Sequence, residues 1–272
     1  MPPLSTPLTN PRSDRVKAVR ALSRRSVRSR TGRFLAEGPQ SVREVVRWRP
    51  ETVVDLYVTA EAAARYADIV DAAQEAGLFV HEVTEPVLAA MGDTEQPQGL
   101  AAVCQVVPAS LEGVLEAGPR LLVLLTNVRD PGNAGTVIRG ADAAGADAVL
   151  VSESSVDVYG PKVVRSTAGS LFHLPVVTGL PVEATIERLR AHGIRVLAAD
   201  GAGERLLPEL DLRAPHAWVM GNEAWGLEPH VRDRCDEVVR VPIHGKAESL
   251  NLAMAATVCL YASAGALHPL GR

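Results

Sequence analysis

Short aliphatic runs alternate with helix-forming segments along most of the chain. Such runs are typical of strands buried on both faces of a parallel sheet, and apolar residues spaced three and four positions apart indicate helices. In the first half, the pattern predicts four strands, at residues 34–36, 53–59, 79–83 and 100–107. Helices are predicted between them, at residues 14–30, 40–48 and 60–75.

The second half repeats this alternation with stronger apolar runs. Six strands are predicted, at residues 121–125, 148–151, 176–177, 195–199, 217–220 and 238–241. Four helices are predicted, at residues 134–144, near 162, at 182–192 and from 249 to about 264. Strands interleaved with helices predict an α/β fold whose mostly parallel sheet is covered on both faces.

Composition shifts along the chain suggest where the domains meet. Residues 108–119 contain Pro, Ser and Gly and are predicted to link a smaller α/β domain at 14–107 to a second α/β domain at 120–272. Residues 1–13 hold four prolines among mostly polar residues and are predicted to be a disordered tail.

Overall composition narrows the class of protein. Aromatic residues make up only 4% of the chain and apolar residues 47%, so the cores must be built from Ala, Val, Leu and Ile. The three cysteines form no CxxC pair, which favours buried thiols in a reducing cytoplasm over disulfides or a zinc site. No apolar run approaches the roughly 20 residues that span a membrane. A cytoplasmic protein is therefore expected, although the Arg- and Ser-rich start also loosely resembles a mitochondrial transit peptide.

The net charge of −4 conceals a basic segment on an acidic body. Residues 1–33 hold nine basic residues and one acid. Such a segment indicates contact with a polyanion. A solvated helix face or a disordered tail is the alternative explanation of the same charges. The candidate contacts are Arg24, Arg25, Arg28, Arg30 and Arg33.

Because ligands bind beyond the carboxyl ends of parallel strands, the loops after strands are the candidate sites. The first such loop reads NVRDPGNAGTVIRG from Asn127 and opens a helix. Asn133 is predicted at or near the helix N-cap, and Arg139 projects between one and two turns further on. The spacing fits neither GxGxxG nor a P-loop, and an ordinary glycine-rich turn with an exposed Arg remains an alternative.

Two later loops carry polar residues in similar positions. The segment VMGNEAWGL places Gly221 and Glu223 directly after a strand, where a carboxylate suits ligand or proton chemistry and where a capped surface turn is the alternative. The segment VPIHGKAESLNLAMAATVCLY places Ser249, a natural N-cap, before an apolar helix. A capped core helix explains Ser249, but it does not explain the polar Asn251 within the predicted first turn.

Together these segments resemble the three signature motifs of the SpoU (TrmH-like) RNA 2′-O-ribose methyltransferases of the SPOUT superfamily. The family pattern is N-x-G-x-x-x-R, then G-N-E-x-x-G, then P-x-x-G-x-x-x-S-L-N, and all three occur here in that order. The resemblance covers about residues 120–265. RFLAEG, from Arg33, and the strand at 100–107 resemble more loosely the L30e-like substrate-binding domain often fused to this catalytic domain.

The resemblance implies a knotted methyltransferase that uses S-adenosylmethionine and no metal. In the family, the methyl donor sits in a deep trefoil knot, and members usually act as homodimers with one Arg supplied across the interface. Carried over by motif, the donor-binding residues are Gly221, Val241, Ile243 and Leu250, with Val241 where the family more often has Ile. The catalytic residues carried over are Arg139, Glu223, Asn133, Ser249 and Asn251.

The chemistry expected of these residues is activation of a ribose hydroxyl. Arg139 is a poor general base because its pKa exceeds about 12, so we expect it to hold the adjacent phosphate and orient the hydroxyl. Glu223 is expected to act as orienter or proton acceptor. The substrate implied is structured RNA, with large-subunit ribosomal RNA favoured over tRNA, and neither a membrane nor DNA is expected as a partner.

Two other interpretations remain open at this point. A catalytically inactive RNA-binding or assembly protein could keep the same fold, although all five motif residues are present. A dinucleotide-dependent oxidoreductase would share the α/β pattern, but GxGxxG with an acidic partner is absent.

Overall fold

A computed structural model of the protein describes residues 7–268 and divides the chain into two compact units. The first unit comprises Met1–Val107 and Asp157–His173, and the second comprises Pro108–Val156 and Leu174–Arg272. Neither unit is therefore one continuous stretch of chain. The limits expected from sequence, 14–107 and 120–272, stay a prediction, and these units differ from them at residues 157–173 and at residues 108–119, which belong to the second unit.

The first unit contains a four-stranded mixed sheet. Its strands are β1 (Arg33–Glu37), β2 (Val53–Val58), β3 (Val80–Glu82) and β4 (Leu100–Gln105). Its helices are α1 (Asp14–Arg20), α2 (Arg25–Thr31), α3 (Pro39–Trp48), α4 (Ala60–Arg65), α5 (Ala67–Glu75), α6 (Glu85–Met91) and α9 (Pro161–Ser166). The strand order is β1-β4-β2-β3, with β4 antiparallel to both neighbours and β3 parallel to β2.

The N-terminal region departs from its predicted form. The single helix expected at 14–30 is two helices, because the turn Ala21–Ser23 is 3-10 and Arg24 is extended. The tail predicted at 1–13 lies partly outside the described residues, which begin at 7. Within the described part, the Leu8 amide donates to the Glu82 carbonyl at 2.9 Å, so this segment pairs beside β3.

The second unit contains a seven-stranded sheet in which every pairing is parallel. Its strands are β5 (Leu121–Leu125), β6 (Ala148–Ser152), β7 (Val176–Leu180), β8 (Arg195–Ala199), β9 (Arg205–Leu206), β10 (His216–Met220) and β11 (Glu237–Arg240). Its helices are α7 (Leu111–Glu116), α8 (Pro131–Ala143), α10 (Val182–Ala191), α11 (Pro229–Arg232) and α12 (Leu252–Leu267). The strand order is β7-β6-β5-β10-β8-β11-β9.

The expected α/β class and parallel sheet are confirmed, and the differences are in short elements. β9 has two residues and α11 has four, so both are too short to show a periodic spacing of apolar residues. Helix α7 lies inside the predicted linker, where the Ser110 hydroxyl accepts from the Gly113 amide at 3.0 Å and caps it. The trefoil knot implied by the resemblance stays a prediction.

The core of the second unit is aliphatic, as its composition requires. All five residues of β5 and all five of β10 are buried, and β10 includes Trp218 with no exposed surface. Burial of such strands on both faces supplies the main stabilisation, at roughly 25 cal/mol for each Å² of apolar surface removed from water. Among residues 7–268, no helix combines the length and apolar character that crossing a bilayer requires.

The three cysteines lie apart as free thiols. Cys104 and Cys259 are buried, and Cys235 is partly buried. Burial raises the pKa of Cys235 and of Cys259 to about 12, and it raises the pKa of Cys104 as well. Because the thiolate is the reactive form, these side chains behave as small apolar groups.

A buried polar contact fastens α12 to the sheet. Trp218 donates its indole N–H to the Ser263 hydroxyl at 2.8 Å, and His216 Nε2 lies 2.7 Å from the same oxygen. His216 Nδ1 donates to the Ala214 carbonyl at 2.8 Å. Desolvation by burial lowers the pKa of His216, so the ring is neutral at pH 7 and its Nε2 accepts from Ser263.

Stability should therefore fall in mild acid through His216. The folded-state pKa lies below the ordinary value of about 6.5, so the unfolded chain binds the proton first as pH falls. The stability conferred by the neutral ring is present above a pH of about 6.5 and decreases progressively below it. Urea unfolding at pH values of about 7.5 and about 5.5 should show a larger decrease in the wild type than in His216→Gln. Equal decreases in the two chains would contradict this assignment.

Candidate active site

The loops that follow β8, β10 and β11 surround a cavity of about 510 Å³ at the carboxyl edge of the parallel sheet. This is where open α/β sheets bind ligands, and the volume lies within the usual range of about 300–1,000 Å³ for small-molecule sites. The lining combines strand ends with the loop before α12. Its residues are 199–201, 220–226, 239–241, 243, 247–250, 252 and 255.

The four residues expected to bind a donor all line this cavity: Gly221, Val241, Ile243 and Leu250. Gly221 is held where no side chain fits, since a Cβ there would collide with the Gly226 carbonyl carbon. The Asn222 and Gly226 backbones bond each other twice, at 2.8 and 2.9 Å, and close this turn. The cavity wall is therefore a fixed backbone surface with aliphatic side chains beside it.

Glu223 lies at the cavity edge and is held by three donors. Its Oε1 accepts from the Asp130 amide at 3.1 Å and from the Asn133 side-chain amide at 3.3 Å. Its Oε2 accepts from the Arg129 amide at 3.3 Å. Two carboxylate oxygens offer about four acceptor positions, so one remains for a substrate hydroxyl. The loop after β5 thus orients the carboxylate that follows β10.

Asn251 continues this polar cluster to α12. Its side-chain amide donates to Asn133 Oδ1 at 3.0 Å, and its own Oδ1 accepts from the Ala253 and Met254 amides at 2.9 and 3.4 Å. The N-cap of α12 is therefore Asn251, and the prediction that Ser249 caps this helix is wrong. Ser249 is exposed and lines the cavity instead.

The N-cap of α8 also differs from the expected one. Asp130 is the N-cap, and its Oδ1 accepts from the Asn133 amide at 2.7 Å. Asn133 lies in the first turn, three residues after the cap. Its side chain is thereby free to connect Glu223 with Asn251, which is the contact that joins all three sequence motifs.

Arg139 is the predicted site residue that the structure does not bring into this cluster. It is exposed on α8, and it makes no hydrogen bond or ion pair within residues 7–268. Six residues along an α-helix correspond to a rotation of about 600° and a rise of about 9 Å, so Arg139 and Asn133 face different directions.

Sequence analysis missed two residues that shape the site. Asn127 adopts a left-handed conformation, with φ of 54°, and its carbonyl accepts from the Asn222 side chain at 2.7 Å. Asp200 follows β8 and accepts from the Leu227 amide at 3.2 Å. Asp200 could have been found, because it obeys the same strand-end rule that selected Glu223. Within residues 7–268, no group of three His, Cys, Asp or Glu side chains suits a metal ion.

The basic stretch of the first unit divides into two kinds of residue. Arg28 is buried, forms an ion pair with Asp157 at 2.6 Å, and donates to the Leu22 and Ser23 carbonyls at 2.7 and 2.8 Å. Four of its five N–H groups are used inside the unit and the side chain is buried, so the prediction that Arg28 contacts RNA is corrected. Four of the five predicted arginines are exposed, and their side chains form no hydrogen bond or ion pair among the described residues: Arg24, Arg25, Arg30 and Arg33.

The second unit is a parallel α/β unit with a cavity at its strand ends, and its three sequence motifs meet at that cavity. These features are typical of an α/β enzyme that binds a small molecule. Family comparison makes the assignment specific. Residues 120–261 match the SpoU rRNA Methylase family, and residues 13–102 match the MRM3-like substrate binding domain. The chain belongs to the SpoU rRNA Methylase family.

Individual relatives agree with this placement over nearly the whole chain. The 23S rRNA (guanosine(2553)-2′-O)-methyltransferase RlmP of Bacillus subtilis is 34% identical, covering 92% of this chain and 96% of the relative. The 23S rRNA (guanosine-2′-O-)-methyltransferase RlmB of Bordetella pertussis is 32% identical, covering 80% and 91%.

Solved structures show the same fold. An AdoMet-bound rRNA methyltransferase from Sinorhizobium meliloti superposes with a TM-score of 0.83 at 30% identity, covering 98% of this chain and 99% of that one. The SpoU methyltransferase AviRb from Streptomyces viridochromogenes, in complex with AdoMet, gives a TM-score of 0.79 at 30% identity, covering 93% and 98%.

The capping assignment leads to a paired prediction. Asn251→Ala removes the N-cap of α12 and should lower the free energy of unfolding by roughly 0.5–2 kcal/mol. Ser249→Ala, two residues away and outside the cap, should change it by less than about 0.5 kcal/mol. Asn251→Asp keeps the cap oxygen and should retain most of the stability. Urea unfolding of the three variants tests this, and an equal decrease in Ser249→Ala would show that the helix begins earlier.

Proposed function

We propose that this chain is an S-adenosylmethionine-dependent methyltransferase that modifies a ribose 2′-hydroxyl in 23S-type ribosomal RNA. The observation that carries the proposal is the hydrogen-bonded connection of Glu223, Asn133 and Asn251 at the edge of the strand-end cavity. Both named relatives methylate guanosine riboses in 23S rRNA, which makes that RNA the first substrate to test.

The cavity suits the donor by its chemistry. Gly221 packs tightly against the Gly226 backbone and lines the space, and Val241, Ile243 and Leu250 add aliphatic surface. We assign these four residues to the donor. When bound, S-adenosylmethionine supplies a methyl group already activated by its sulfonium charge.

The protein's task is then to prepare the hydroxyl nucleophile. A ribose hydroxyl attacks poorly until its proton is shared or removed. Glu223 has an acceptor position left after its three donors, so it can orient the hydroxyl and take its proton. Asn133 and Asn251 hold the carboxylate in place, and Ser249 lies at the cavity edge as a further polar group. Positioning of this kind is worth several kcal/mol, up to about 7–11 in ideal cases.

Arg139 is assigned to a phosphate of the RNA, and we propose that it serves the site of a second subunit. Arg remains charged and pairs phosphate bidentately, so it binds the backbone rather than taking a proton. Arg139 projects from α8 in a different direction from Asn133. This argues against a role for Arg139 in the active site of its own subunit. Gly140, the next residue, lies against α12, since a Cβ there would be 3.0 Å from the Thr257 hydroxyl.

An exposed apolar stripe on α12 supports the homodimer. The helix has sixteen residues, none of them charged. Met254, Val258 and Tyr261 recur at helical spacing and are 60%, 42% and 54% exposed. Contiguous exposed apolar surface of this kind marks an interface, and a second copy of the same helix is its natural cover. Because Arg139 precedes Gly140, which lies against the same helix, we place Arg139 near the partner as well.

The first unit is assigned to RNA binding. Its match to a substrate-binding domain and its four unpaired arginines, among residues 7–268, support this. Structured RNA is recognised through shape, loop bases and its phosphates, so exposed guanidinium groups are suitable contacts. We propose the cytoplasm as the location, because ribosomal RNA is made and assembled there.

Subunit mixing tests the reaction and the dimer together. Purified chain, labelled S-adenosylmethionine and 23S rRNA should yield label in an alkali-resistant linkage. Arg139→Ala and Glu223→Gln should each lower turnover by about 100-fold or more. Mixed in equal amounts, the two inactive variants should regain up to about a quarter of wild-type activity, because some mixed dimers contain one intact site. No recovery, with dimers present by sedimentation, would show that Arg139 acts within its own chain.

Replacing the exposed arginines should weaken RNA binding through charge. The quadruple substitution of Arg24, Arg25, Arg30 and Arg33 by Ala should reduce affinity for 23S rRNA and flatten its salt dependence. The log–log slope should fall by roughly 0.7–0.9 for each phosphate that the variant no longer neutralises. Filter binding between about 50 and about 300 mM salt measures both the affinity and the slope.

Arg28 provides the matched control for this substitution. Arg28→Ala should lower the free energy of unfolding, since it leaves the Asp157 carboxylate unpaired, and it should leave the salt slope of the folded protein unchanged. An unchanged salt slope in the quadruple variant would place the RNA elsewhere.

A further inference from the structure

We propose that Trp225 is the platform on which the base of the target nucleotide stacks, which makes it a positioning residue for methyl transfer. This inference rests on the proposed function. Sequence motifs did not select Trp225, because it occupies one of the unspecified positions of G-N-E-x-x-G. The structure places it in the turn formed by residues 221–226, which lines the cavity, and leaves its side chain exposed.

Exposure is the first observation. Trp225 lines the donor cavity and yet keeps 58% of its surface exposed. The other lining residues are aliphatic or polar, and Trp225 is the aromatic residue among them. The indole therefore lies at the cavity mouth, with most of its surface available to a ligand that arrives from solvent.

The rigidity of the turn is the second observation. Asn222 and Gly226 bond each other in both directions, and the Asn222 Oδ1 accepts from the Ala224 amide at 2.8 Å. Gly226 has φ of 71°, and Asp200 lies close beneath it, where a Cβ would meet its Oδ2 at 3.0 Å. The turn that carries Trp225 is therefore held by its own hydrogen bonds, which limits the positions from which the indole can extend.

Trp225 also lies close to Glu223 along the chain. Trp225 follows Glu223 by two residues, so their Cα atoms are at most about 7 Å apart. A nucleotide whose 2′-hydroxyl reaches Glu223 carries its base across a similar distance. Single-stranded bases are commonly held by stacking on aromatic side chains, and every base offers a face for this.

An isolated aromatic side chain is informative in this protein. The chain has only three Trp residues: Trp218 is fully buried, and Trp48, in the first unit, is 55% exposed. Trp225 lies apart from the α12 stripe in sequence, on a loop already engaged in the site. The stacking partner it fits is a nucleobase of the RNA substrate.

Steady-state kinetics with an RNA titration tests this. Trp225→Leu should lower kcat/KM for a 23S rRNA transcript by about tenfold or more, chiefly through KM, because stacking strengthens RNA binding before and during transfer. Trp225→Phe should retain most of the activity. The dissociation constant for S-adenosylhomocysteine, measured by calorimetry, should stay within about twofold of the wild-type value. Trp48→Leu, at a similarly exposed Trp of the first unit, is the matched control for donor binding and should leave the dissociation constant for S-adenosylhomocysteine unchanged.

A fluorescence measurement avoids reliance on the Leu variant. In Trp48→Phe the remaining indoles are the buried Trp218 and the exposed Trp225, so acrylamide quenches mainly Trp225. The RNA transcript should reduce that quenching, and S-adenosylhomocysteine alone should leave it largely unchanged.

The other outcomes overturn the inference in distinguishable ways. Suppose that the wild-type chain methylates RNA and that Trp225→Leu shows the same kcat and KM. The indole then does not position the base. A decrease in donor affinity as large as the decrease in kcat/KM would assign the indole to the donor. A monomeric Trp225→Leu chain would assign it to the subunit interface. A wild-type chain that binds donor and methylates no RNA would overturn the proposed function itself.

Discussion

The geometry of the site depends on the side-chain amide of Asn251, which makes two contacts in opposite directions. Its oxygen satisfies amides at the start of α12, and its nitrogen donates to Asn133 at 3.0 Å. A capping residue is normally a matter of helix stability alone. Here one planar group both starts α12 and holds the side chain of Asn133, which is one of the three donors to Glu223. A shift of α12 relative to α8 would therefore loosen one of the contacts that orient the carboxylate.

The parallel sheet makes this arrangement possible. Because every pairing in the second unit is parallel, β5, β8, β10 and β11 all end at the same edge. Residues far apart in sequence, such as Asn133 and Glu223, meet there without long side chains. The buried bond between Trp218 and Ser263 anchors α12 to the middle of the sheet, so the helix approaches the site from a fixed base.

Much of the fold could be predicted from the sequence, and the failures have identifiable causes. Long aliphatic strands were found because burial on both faces leaves an unambiguous run, as in β5 and β10. The two-residue β9 was missed because it is too short to show a period. Ser249 was predicted as the N-cap because Ser and Asn are almost equally good caps, and only the fold decides between them. Arg28 resembled an RNA contact because charge alone does not reveal a buried ion pair with a carboxylate 129 residues away, at Asp157.

The site residues, too, could be predicted only in part. The strand-end rule and the motif resemblance selected Glu223, Asn133 and Asn251, which the structure brings into one hydrogen-bonded cluster. Neither could indicate that Arg139 faces away from that cluster, because direction around a helix matters only once its neighbours are known. Asn127 gave no signal either, since a left-handed backbone at a non-glycine residue is a consequence of the surrounding loops.

Residues 157–173 belong to the first unit, although the chain before and after them belongs to the second unit. We call this segment the excursion, and it limits where the protein can be divided. Arg165 on α9 pairs with the buried Glu37 at 2.8 Å, and Asp157 pairs with the buried Arg28. A fragment cut at residue 107 would keep both buried charges without either of their partners, which is among the costlier defects a folded unit can carry. The two halves are therefore not interchangeable modules. Exchange of one half between relatives during evolution would require the excursion to be exchanged with it.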